Sequence, residues 1–298
     1  MVPIEQIQQE VKSGNFLALA KAISAIENNS DQSTQFLESL RPSLVPIIGI
    51  TGPPGAGKST LISALIQEWV EAGKRIAVLS VDPSSPFHQG AILGDRIRMR
   101  EWYLHPQVFI RSLASRGHLG GLNSTTIELT TLLQSSGFDM IILETVGVGQ
   151  SEVEVAALAD TTLVVLVPEA GDDIQMMKSG LMEVADIFVV NKSDRPDANA
   201  FASHIQQMLL ENHATETSVV QTIASQKEGI GALVKAIQQH QSIAYQQSSK
   251  QRLMLSKTMQ LIVAKKMQQL DYATIESDLA KAMQTSSFNI FEFAKKYY

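Results

Sequence analysis

Seven short apolar runs constrain the fold of this chain more than any other feature of its sequence. The runs are rich in Val and Ile, and they lie at residues 45–50, 76–81, 108–113, 140–143, 163–167, 187–190 and 219–223. Most are separated by helical patterns, for example at residues 60–72, 124–134, 173–184 and 231–239. Continuous apolar strands that alternate with helices are typical of a mostly parallel sheet covered on both faces. The sequence therefore predicts an α/β fold with a doubly covered, mostly parallel sheet.

The loop after the first predicted strand carries a phosphate-binding pattern. Residues 52–59 read GPPGAGKS, which fits G-x-x-x-x-G-K-[ST] and makes the predicted fold a P-loop NTPase. Glycines in such a loop let backbone N–H groups point at phosphate oxygens, and the following helix adds the positive end of its dipole. We expect Lys58 to reach the β- and γ-phosphates and the Ser59 hydroxyl to bind Mg²⁺. The predicted nucleotide contacts of this loop are Gly52, Pro53, Pro54, Gly55, Ala56, Gly57, Lys58, Ser59 and Thr60.

Carboxylates near the ends of two further strands are candidates for the metal side of the site. Glu144 opens the sequence Glu-Thr-Val-Gly, in the place where many GTPases have an Asp-x-x-Gly segment near Mg²⁺. The amide of Gly147 can sense the γ-phosphate there. Asp82 and Asp95 are further metal candidates, although a turn before Pro83 and a helix cap are the respective alternatives. The predicted metal set is thus Ser59, Asp82, Asp95 and Glu144, and the predicted catalytic set is Lys58, Glu144 and Gly147.

A second motif predicts that the base is guanine. Residues 191–194 read NKSD, which fits N-K-x-D, and they follow the sixth predicted strand. The Asp194 carboxylate can accept from the ring N1–H and the exocyclic amine, whereas adenine has no donor at N1. We expect Asn191 to brace the loop and Lys192 to lie across the base. The backbone N–H of Ala224, after the seventh strand, is the predicted donor to guanine O6.

Composition excludes several other classes of protein. The net charge is −6 and there is no cysteine, which argues against a nucleic-acid surface, disulfides and thiolate metal sites. The N-terminus lacks the order of a signal peptide, and no apolar run approaches the length of a membrane span. We expect a cytoplasmic protein without a nucleic-acid or membrane partner.

The chain divides into three parts by pattern. Residues 1–42 are predicted to be an N-terminal helical extension, residues 43–243 the P-loop GTPase domain, and residues 244–298 a C-terminal helical segment. Apolar residues from Leu255 to Leu270 recur at helical spacing in the last part. That stripe could pack back on the sheet domain or form a dimerisation arm, and the pattern alone does not separate the two.

Three longer segments resemble one known family. VDPSSPFHQGAILGDRIRM at 81–99, ETVGVGQSE at 144–152 and PEAGDDIQMMKSGLMEVAD at 168–186 are similar to the methylmalonyl-CoA mutase-associated GTPases, the MeaB/ArgK family, whose human counterpart is the methylmalonic aciduria type A protein. More broadly, the chain looks like the signal-recognition and nickel-insertion class of P-loop GTPases.

The resemblance carries functional implications. It implies a GTPase chaperone that gates cofactor loading of an adenosylcobalamin-dependent acyl-CoA mutase and protects that enzyme. It places Asp82, Asp95 and Glu144 on the magnesium-side carboxylates and Lys178 in a segment that communicates with the mutase. It also implies a homodimer formed through the C-terminal helices, which favours the dimerisation arm.

Slow intrinsic hydrolysis is expected from the residues around the γ-phosphate. Val148 follows Gly147, where Ras-like GTPases have a glutamine, and valine cannot orient a water molecule. No arginine finger can be assigned among the candidates Arg96, Arg98, Arg111 and Arg116. We therefore predict hydrolysis that a partner accelerates.

Other functions remain as alternatives. They are a P-loop kinase of the amino-acid transport type, a nickel-type metallocofactor insertion GTPase, and a nucleotide-dependent scaffold with negligible turnover.

Overall fold

A seven-stranded sheet with the order β3-β2-β4-β1-β5-β6-β7 forms the centre of the molecule, and every strand pairing in it is parallel. The strands are β1 (Ile47–Thr51), β2 (Ile76–Asp82), β3 (Val108–Ala114), β4 (Met140–Thr145), β5 (Thr161–Leu166), β6 (Ile187–Val190) and β7 (Ser218–Gln221). The computed structural model describes residues 1–28, 31–82, 99–114, 124–145, 155–168, 182–211 and 217–244. In the C-terminal part it describes 258–259, 262–263, 266, 270–283, 293–294 and 296–297.

Helices flank the sheet in the described part of the chain. They are α1 (Ile4–Lys12), α2 (Leu17–Glu27), α3 (Asp31–Ser39), α4 (Lys58–Glu71), α5 (Ser124–Gln134), α6 (Met182–Val184), α7 (Ala198–Glu211), α8 (Ile230–Ala244) and α9 (Tyr272–Ala282). Short 3₁₀ turns lie at Arg100–Trp102 and Ala224–Gln226. None of the helices in these described ranges is both long and apolar enough to cross a bilayer.

The predicted strands are confirmed, and their ends differ from the observed ones by no more than two residues. The agreement has a simple cause, because β1, β5 and β6 are buried along their whole length and so are apolar at most positions. Helix α5 has the predicted bounds, whereas α8 continues well beyond the predicted end at residue 239. Of the predicted helix 173–184, only α6 falls within the described residues.

Two large apolar cores cover the two faces of the sheet. One contains residues of α4 and α8 packed on β1, β2 and β5. The other contains Val11 of α1, Leu19 and Ile23 of α2, and residues of α5 and β4. In this second core, the Phe16 ring lies 5.4 Å from that of Phe109. Helices α1 and α2 therefore share a core with the sheet.

At the amino ends of the strands, the side chains of three aspartates accept hydrogen bonds from backbone N–H groups at or next to the starts of neighbouring strands. Ile47 N–H donates to Asp160 Oδ2 at 2.7 Å, and Thr162 N–H donates to Asp186 Oδ2 at 2.7 Å. In the same way Arg75 N–H, just before β2, donates to the side chain of Asp139. These contacts satisfy amides at strand starts, which would otherwise need other partners.

Helix α8 is attached to the same edge through His240. Its Nε2 lies 3.1 Å from Asp186 Oδ1, and its Nδ1 lies 2.9 Å from Thr161 Oγ1. One imidazole therefore joins α8 to the starts of β5 and β6.

The described residues of the C-terminal part include helix α9 and, before it, several exposed apolar residues. Asp271 caps α9 by accepting from the amides of Ala273 and Thr274, and its bond from the Thr274 hydroxyl is the main cause that lowers the pKa of its carboxyl. Met259, Ile262 and Val263 are about half exposed in the single chain (53%, 47% and 53%).

Candidate nucleotide-binding site

The loop between β1 and α4 is shaped by glycines with positive φ. Gly52, Gly55 and Gly57 have φ of +138°, +80° and +92°. A Cβ on Gly52 would lie 2.1 Å from the carbonyl oxygen of Val165 in β5, whereas a Cβ on Gly55 would meet nothing within 4 Å. Gly52 is therefore required both by its backbone angle and by a close backbone neighbour, whereas Gly55 is required by its backbone angle alone.

Two lysine ammonium groups bind carbonyl oxygens of this loop. Lys58 Nζ donates to Gly52 O at 2.7 Å and to Pro53 O at 3.0 Å, and the residue is only 7% exposed. Lys192 Nζ donates to Gly55 O at 2.7 Å. Both cations thus lie against the loop that is predicted to hold the phosphates, while the expected contact of Lys58 with phosphate stays a prediction.

A buried carboxylate lies beside the start of α4. Glu144, at the carboxyl end of β4, is 3% exposed. Its Oε1 accepts from the Ser59 hydroxyl at 3.2 Å, and its Oε2 accepts from the Ser80 hydroxyl of β2 at 3.0 Å. The structure therefore brings together Ser59 and Glu144, two of the four residues predicted to bind the metal.

A hydroxyl pair joins the ends of the two strands that lead into these segments. Thr145 Oγ1 donates to Thr51 Oγ1 at 2.9 Å, and both residues are buried. Thr51 directly precedes the phosphate loop, and Thr145 follows Glu144. The pair fixes the separation of the two strand ends below the site.

Asn191 connects three loops. Its Nδ2 donates to Ala56 O at 2.8 Å, and its Oδ1 accepts from Thr222 Oγ1 and from Ala224 N–H, both at 3.1 Å. The residue is 2% exposed, and a Cβ on Gly57 would lie 2.4 Å from its Nδ2. The bracing contact expected of Asn191 is thus present between the NKSD loop and the phosphate loop.

The amide of Ala224 is already engaged within the chain. Because it donates to Asn191 Oδ1, a hydrogen bond to guanine O6 requires this donor to be shared or exchanged. The position of Ala224 beside Asn191 agrees with a place in the base pocket, and the O6 contact stays a prediction.

The remaining residues of the NKSD loop are held by backbone contacts. Lys192 has a φ of +57°, an uncommon value for a residue other than glycine. Ser193 N–H donates to Thr222 O at 3.0 Å, and its hydroxyl donates to Val190 O at 2.8 Å. Asp194 follows this fixed turn and its side chain is exposed, so its carboxylate is accessible to a ligand.

Several predicted site residues lie outside the described part of the chain. They are Gly147, Asp95 and Lys178, together with the side chain of Asp82. Among the side chains that are described, no group of three or more His, Asp or Glu residues is arranged to hold a metal. The Ser59 hydroxyl and the Glu144 carboxylate nevertheless fit Mg²⁺, which prefers oxygen ligands and is bound through few protein groups plus phosphates.

Sequence reasoning missed the residues that support the site from beneath. Ser80, Thr51, Thr145 and Thr222 are polar, buried and hydrogen-bonded to one another or to predicted site residues. The available signal was a hydroxyl residue within or directly after an apolar strand, since buried polar groups need partners.

The family profile and the named relatives that match this chain are GTPases, as the two motifs predict. Residues 19–277 match the sequence profile of the family described as methylmalonyl Co-A mutase-associated GTPase MeaB. A Pyrococcus horikoshii protein named as a GTPase is 40% identical over 275 residues, covering 89% of this chain and 87% of its own length. The GTPase ArgK of Escherichia coli is 40% identical over 210 residues, covering 68% of this chain and 63% of its own. Among solved structures, one described as a LAO/AO transport system kinase aligns with a TM-score of 0.68 at 25% identity, covering 99% of this chain and 96% of that one.

Proposed function

The chain belongs to the MeaB family of methylmalonyl-CoA mutase-associated GTPases, and from this premise we propose that it is a nucleotide-dependent chaperone of an adenosylcobalamin-dependent acyl-CoA mutase. In this proposal it binds GTP and GDP with Mg²⁺ and hydrolyses GTP slowly on its own. The bound nucleotide then gates the loading of cofactor into the mutase.

The observation that carries the proposal is the junction made by Asn191. Its amide nitrogen donates to Ala56 O of the phosphate loop, and its amide oxygen accepts from Thr222 and Ala224. The loops that carry the two motifs, which lie far apart in the sequence, are therefore in direct contact, and this contact supports a single nucleotide site. A phosphate loop beside an exposed aspartate supplies the polar groups that the phosphates and the guanine base of a nucleotide need.

The residues of the phosphate side have distinct roles in the proposed hydrolysis. Lys58 balances negative charge on the β- and γ-phosphates, and Ser59 with Glu144 holds the metal, together with Asp82 and Asp95. Mg²⁺, when bound, neutralises charge that develops on the phosphate oxygens. The backbone amide of Gly147 senses whether the γ-phosphate is present. Because Val148 cannot orient water, the attacking water is aligned only when a partner supplies or reorders groups around it.

Two partners are proposed, a second copy of the chain and the mutase. The family and the exposed apolar residues of the C-terminal part support them. Met259, Ile262 and Val263 place apolar surface in solvent in the single chain. An apolar helical face of this kind fits a homodimer formed through residues 244–298, with residues 43–243 as the GTPase domain and residues 1–42 as its helical extension. The mutase is the second proposed partner.

A kinase of the amino-acid transport type is the second candidate, because the solved structure described as a LAO/AO transport system kinase covers nearly the whole chain. The NKSD loop favours the GTPase, since Asp194 offers an acceptor pair that adenine cannot use. A nickel-insertion role is less favoured because the chain contains no cysteine.

Nucleotide calorimetry tests the proposal directly. We expect the wild-type chain to bind GDP and GTP in the presence of Mg²⁺, and to bind ATP far more weakly. Asp194→Asn should weaken GDP binding about 100-fold, because two charge-assisted hydrogen bonds to the base are lost. Asp197→Asn, in the same exposed loop, is the matched control and should leave the affinity unchanged. Equal affinity for ATP and GTP, or no effect of Asp194→Asn, would contradict the base site.

Single-turnover GTP hydrolysis then tests the chaperone role. We expect slow conversion by the chain alone and faster conversion when the mutase is added. A rate that is the same with and without the mutase would contradict a partner-stimulated GTPase.

A further inference from the structure

Ser80 lies beneath the metal side of the candidate site and has no part in the nucleotide contacts expected from the motifs. We propose that Ser80 is a positioning residue that sets the orientation of the Glu144 carboxylate and, through it, the affinity of the nucleotide complex for Mg²⁺. The inference rests on the proposed function, since it assumes that Ser59 and Glu144 face a bound metal.

Strand pairing places the two side chains together. Ser80 of β2 is the register partner of Glu144 of β4, and its hydroxyl donates to Glu144 Oε2 at 3.0 Å. The other oxygen, Oε1, accepts from Ser59 at 3.2 Å. Each oxygen of one carboxylate is therefore held by a hydroxyl, one from the sheet and one from the first turn of α4.

The burial of these three residues restricts rotation of the Glu144 carboxylate. Ser59, Ser80 and Glu144 are 3%, 2% and 3% exposed, so water cannot readily replace either hydroxyl. A buried carboxylate is stable only where its oxygens are hydrogen-bonded, and a fixed bond on one oxygen limits rotation of the group. The bond from Ser80 thus turns Oε1 toward Ser59, the residue of the phosphate loop that is expected at the metal.

The sequence of β2 supports a specific role for this hydroxyl. The strand reads IAVLSVD, and Ser80 is polar at a position where its neighbours Leu79 and Val81 are apolar. Alanine would fill the position without any donor and at no steric cost. Groups that orient a metal ligand from behind typically change metal affinity by 10- to 100-fold when they are removed, which is the effect expected here.

The test compares the magnesium dependence of GDP release in full-length variants. A fluorescent GDP analogue is bound to wild type, Ser80→Ala, Ser80→Thr and Ser136→Ala, and its dissociation rate is measured against free Mg²⁺. Ser136, in the turn after α5, is the matched control, because it is also a buried serine whose hydroxyl donates a hydrogen bond, here to Leu132 O of α5. Thermal unfolding without nucleotide and GDP affinity in excess EDTA are measured for the same four proteins.

The midpoint is the free Mg²⁺ concentration at which the GDP dissociation rate lies halfway between its values without Mg²⁺ and at saturating Mg²⁺. We expect Ser80→Ala to raise this midpoint about tenfold. Ser80→Thr, which keeps the hydroxyl, should restore a midpoint close to that of wild type. In EDTA all four proteins should bind GDP alike, and Ser80→Ala should lose no more thermal stability than Ser136→Ala. This separation of metal dependence from stability distinguishes a positioning role from a purely structural one.

Two contrary results can be told apart. A Ser80→Ala midpoint equal to that of wild type, with normal GDP binding, would overturn this inference and leave the proposed function intact. Failure of the wild-type chain to bind GDP at saturating Mg²⁺ would overturn the proposed function and the inference with it.

Discussion

The two ends of the central sheet use their polar groups in opposite ways. At the amino end, Asp160 and Asp186 accept amides from the starts of adjacent strands, and His240 joins the same edge to α8. At the carboxyl end, the polar groups of Lys58, Glu144 and Asn191 converge on the loop between β1 and α4. The first arrangement satisfies backbone amides at the strand starts, and the second joins the loops that carry the two predicted nucleotide-binding motifs.

This difference indicates where a substitution should affect the stability of the protein alone and where it should also affect nucleotide binding. Because parallel strands all point the same way, every loop that follows a strand opens on one edge of the sheet. The opposite edge carries no such loops and is free to be closed by internal hydrogen bonds. Substitutions at the amino edge should therefore change the free energy of unfolding without changing nucleotide affinity, whereas substitutions at the carboxyl edge that disturb the buried contacts of the site should change both.

The largest effect is expected at Gly52. Gly52→Ala forces a residue with a Cβ into a φ of +138° and places that Cβ 2.1 Å from Val165 O. We expect a loss of unfolding free energy on the order of 3 to 5 kcal/mol from strain and overpacking together, measured by urea denaturation. Gly55→Ala has a similar backbone requirement but open space, and should cost about 1 kcal/mol. Equal losses for the two variants would mean that the contact with β5 is not what fixes the loop.

Asn191→Ala should have the next largest effect. It removes the acceptor of Thr222 Oγ1 and Ala224 N–H and the donor to Ala56 O, all of them buried contacts. We expect a stability loss of about 2 to 3 kcal/mol together with greatly weakened GDP binding. Asn199→Ala, at an exposed position of α7, is the control and should alter neither quantity. Normal GDP affinity in Asn191→Ala would separate the two motifs and undo the case for a single pocket.

Asp160→Ala tests the amino end. The Ile47 amide loses its side-chain acceptor, and we expect a stability loss of about 1 to 3 kcal/mol. GDP affinity should not change, because the substitution lies at the edge away from the loops. Asp160→Asn retains an acceptor oxygen and should lose less. A change in GDP affinity as large as the change in stability would show that the two ends are not independent.

The smallest effect is expected from the paired substitution of Thr51 and Thr145. Each single change to Val leaves one buried hydroxyl without its partner in the pair and should cost about 1 kcal/mol. The double variant replaces both hydroxyls with methyl groups of the same shape and should be close to neutral. A double-mutant cycle in urea measures this coupling. Additive losses would mean that the hydroxyl pair does not act as a unit.

The sequence predicted the strands well because their burial on two faces leaves a continuous apolar signal. It also predicted that the two motifs meet, since each follows a strand and the carboxyl ends of parallel strands share one edge. Helix α8 was predicted too short, because its second half presents glutamines and His240 to partly exposed positions and so weakens the apolar pattern.

The supporting contacts of the site could not be predicted in the same way. The bond between Ser80 and Glu144 depends on β2 lying next to β4 and on a register that pairs these two residues. The Thr51–Thr145 pair depends likewise on the neighbourhood of β1 and β4. A single sequence contains the residues but not the strand order, and the latter decides which hydroxyl meets which carboxylate.

Helix α8 has a practical consequence for shortened forms of the protein. At 15 residues it is about 22 Å long. It begins at Ile230, after the turn that contains Ala224, and ends at Ala244, four residues beyond His240. A fragment that ends before His240 would lose the contacts of this side chain with Asp186 and Thr161 and leave the helix held by its apolar face alone, whereas one that ends after Ala244 would keep them. Removal of the C-terminal segment for crystallisation or binding assays should therefore begin beyond Ala244.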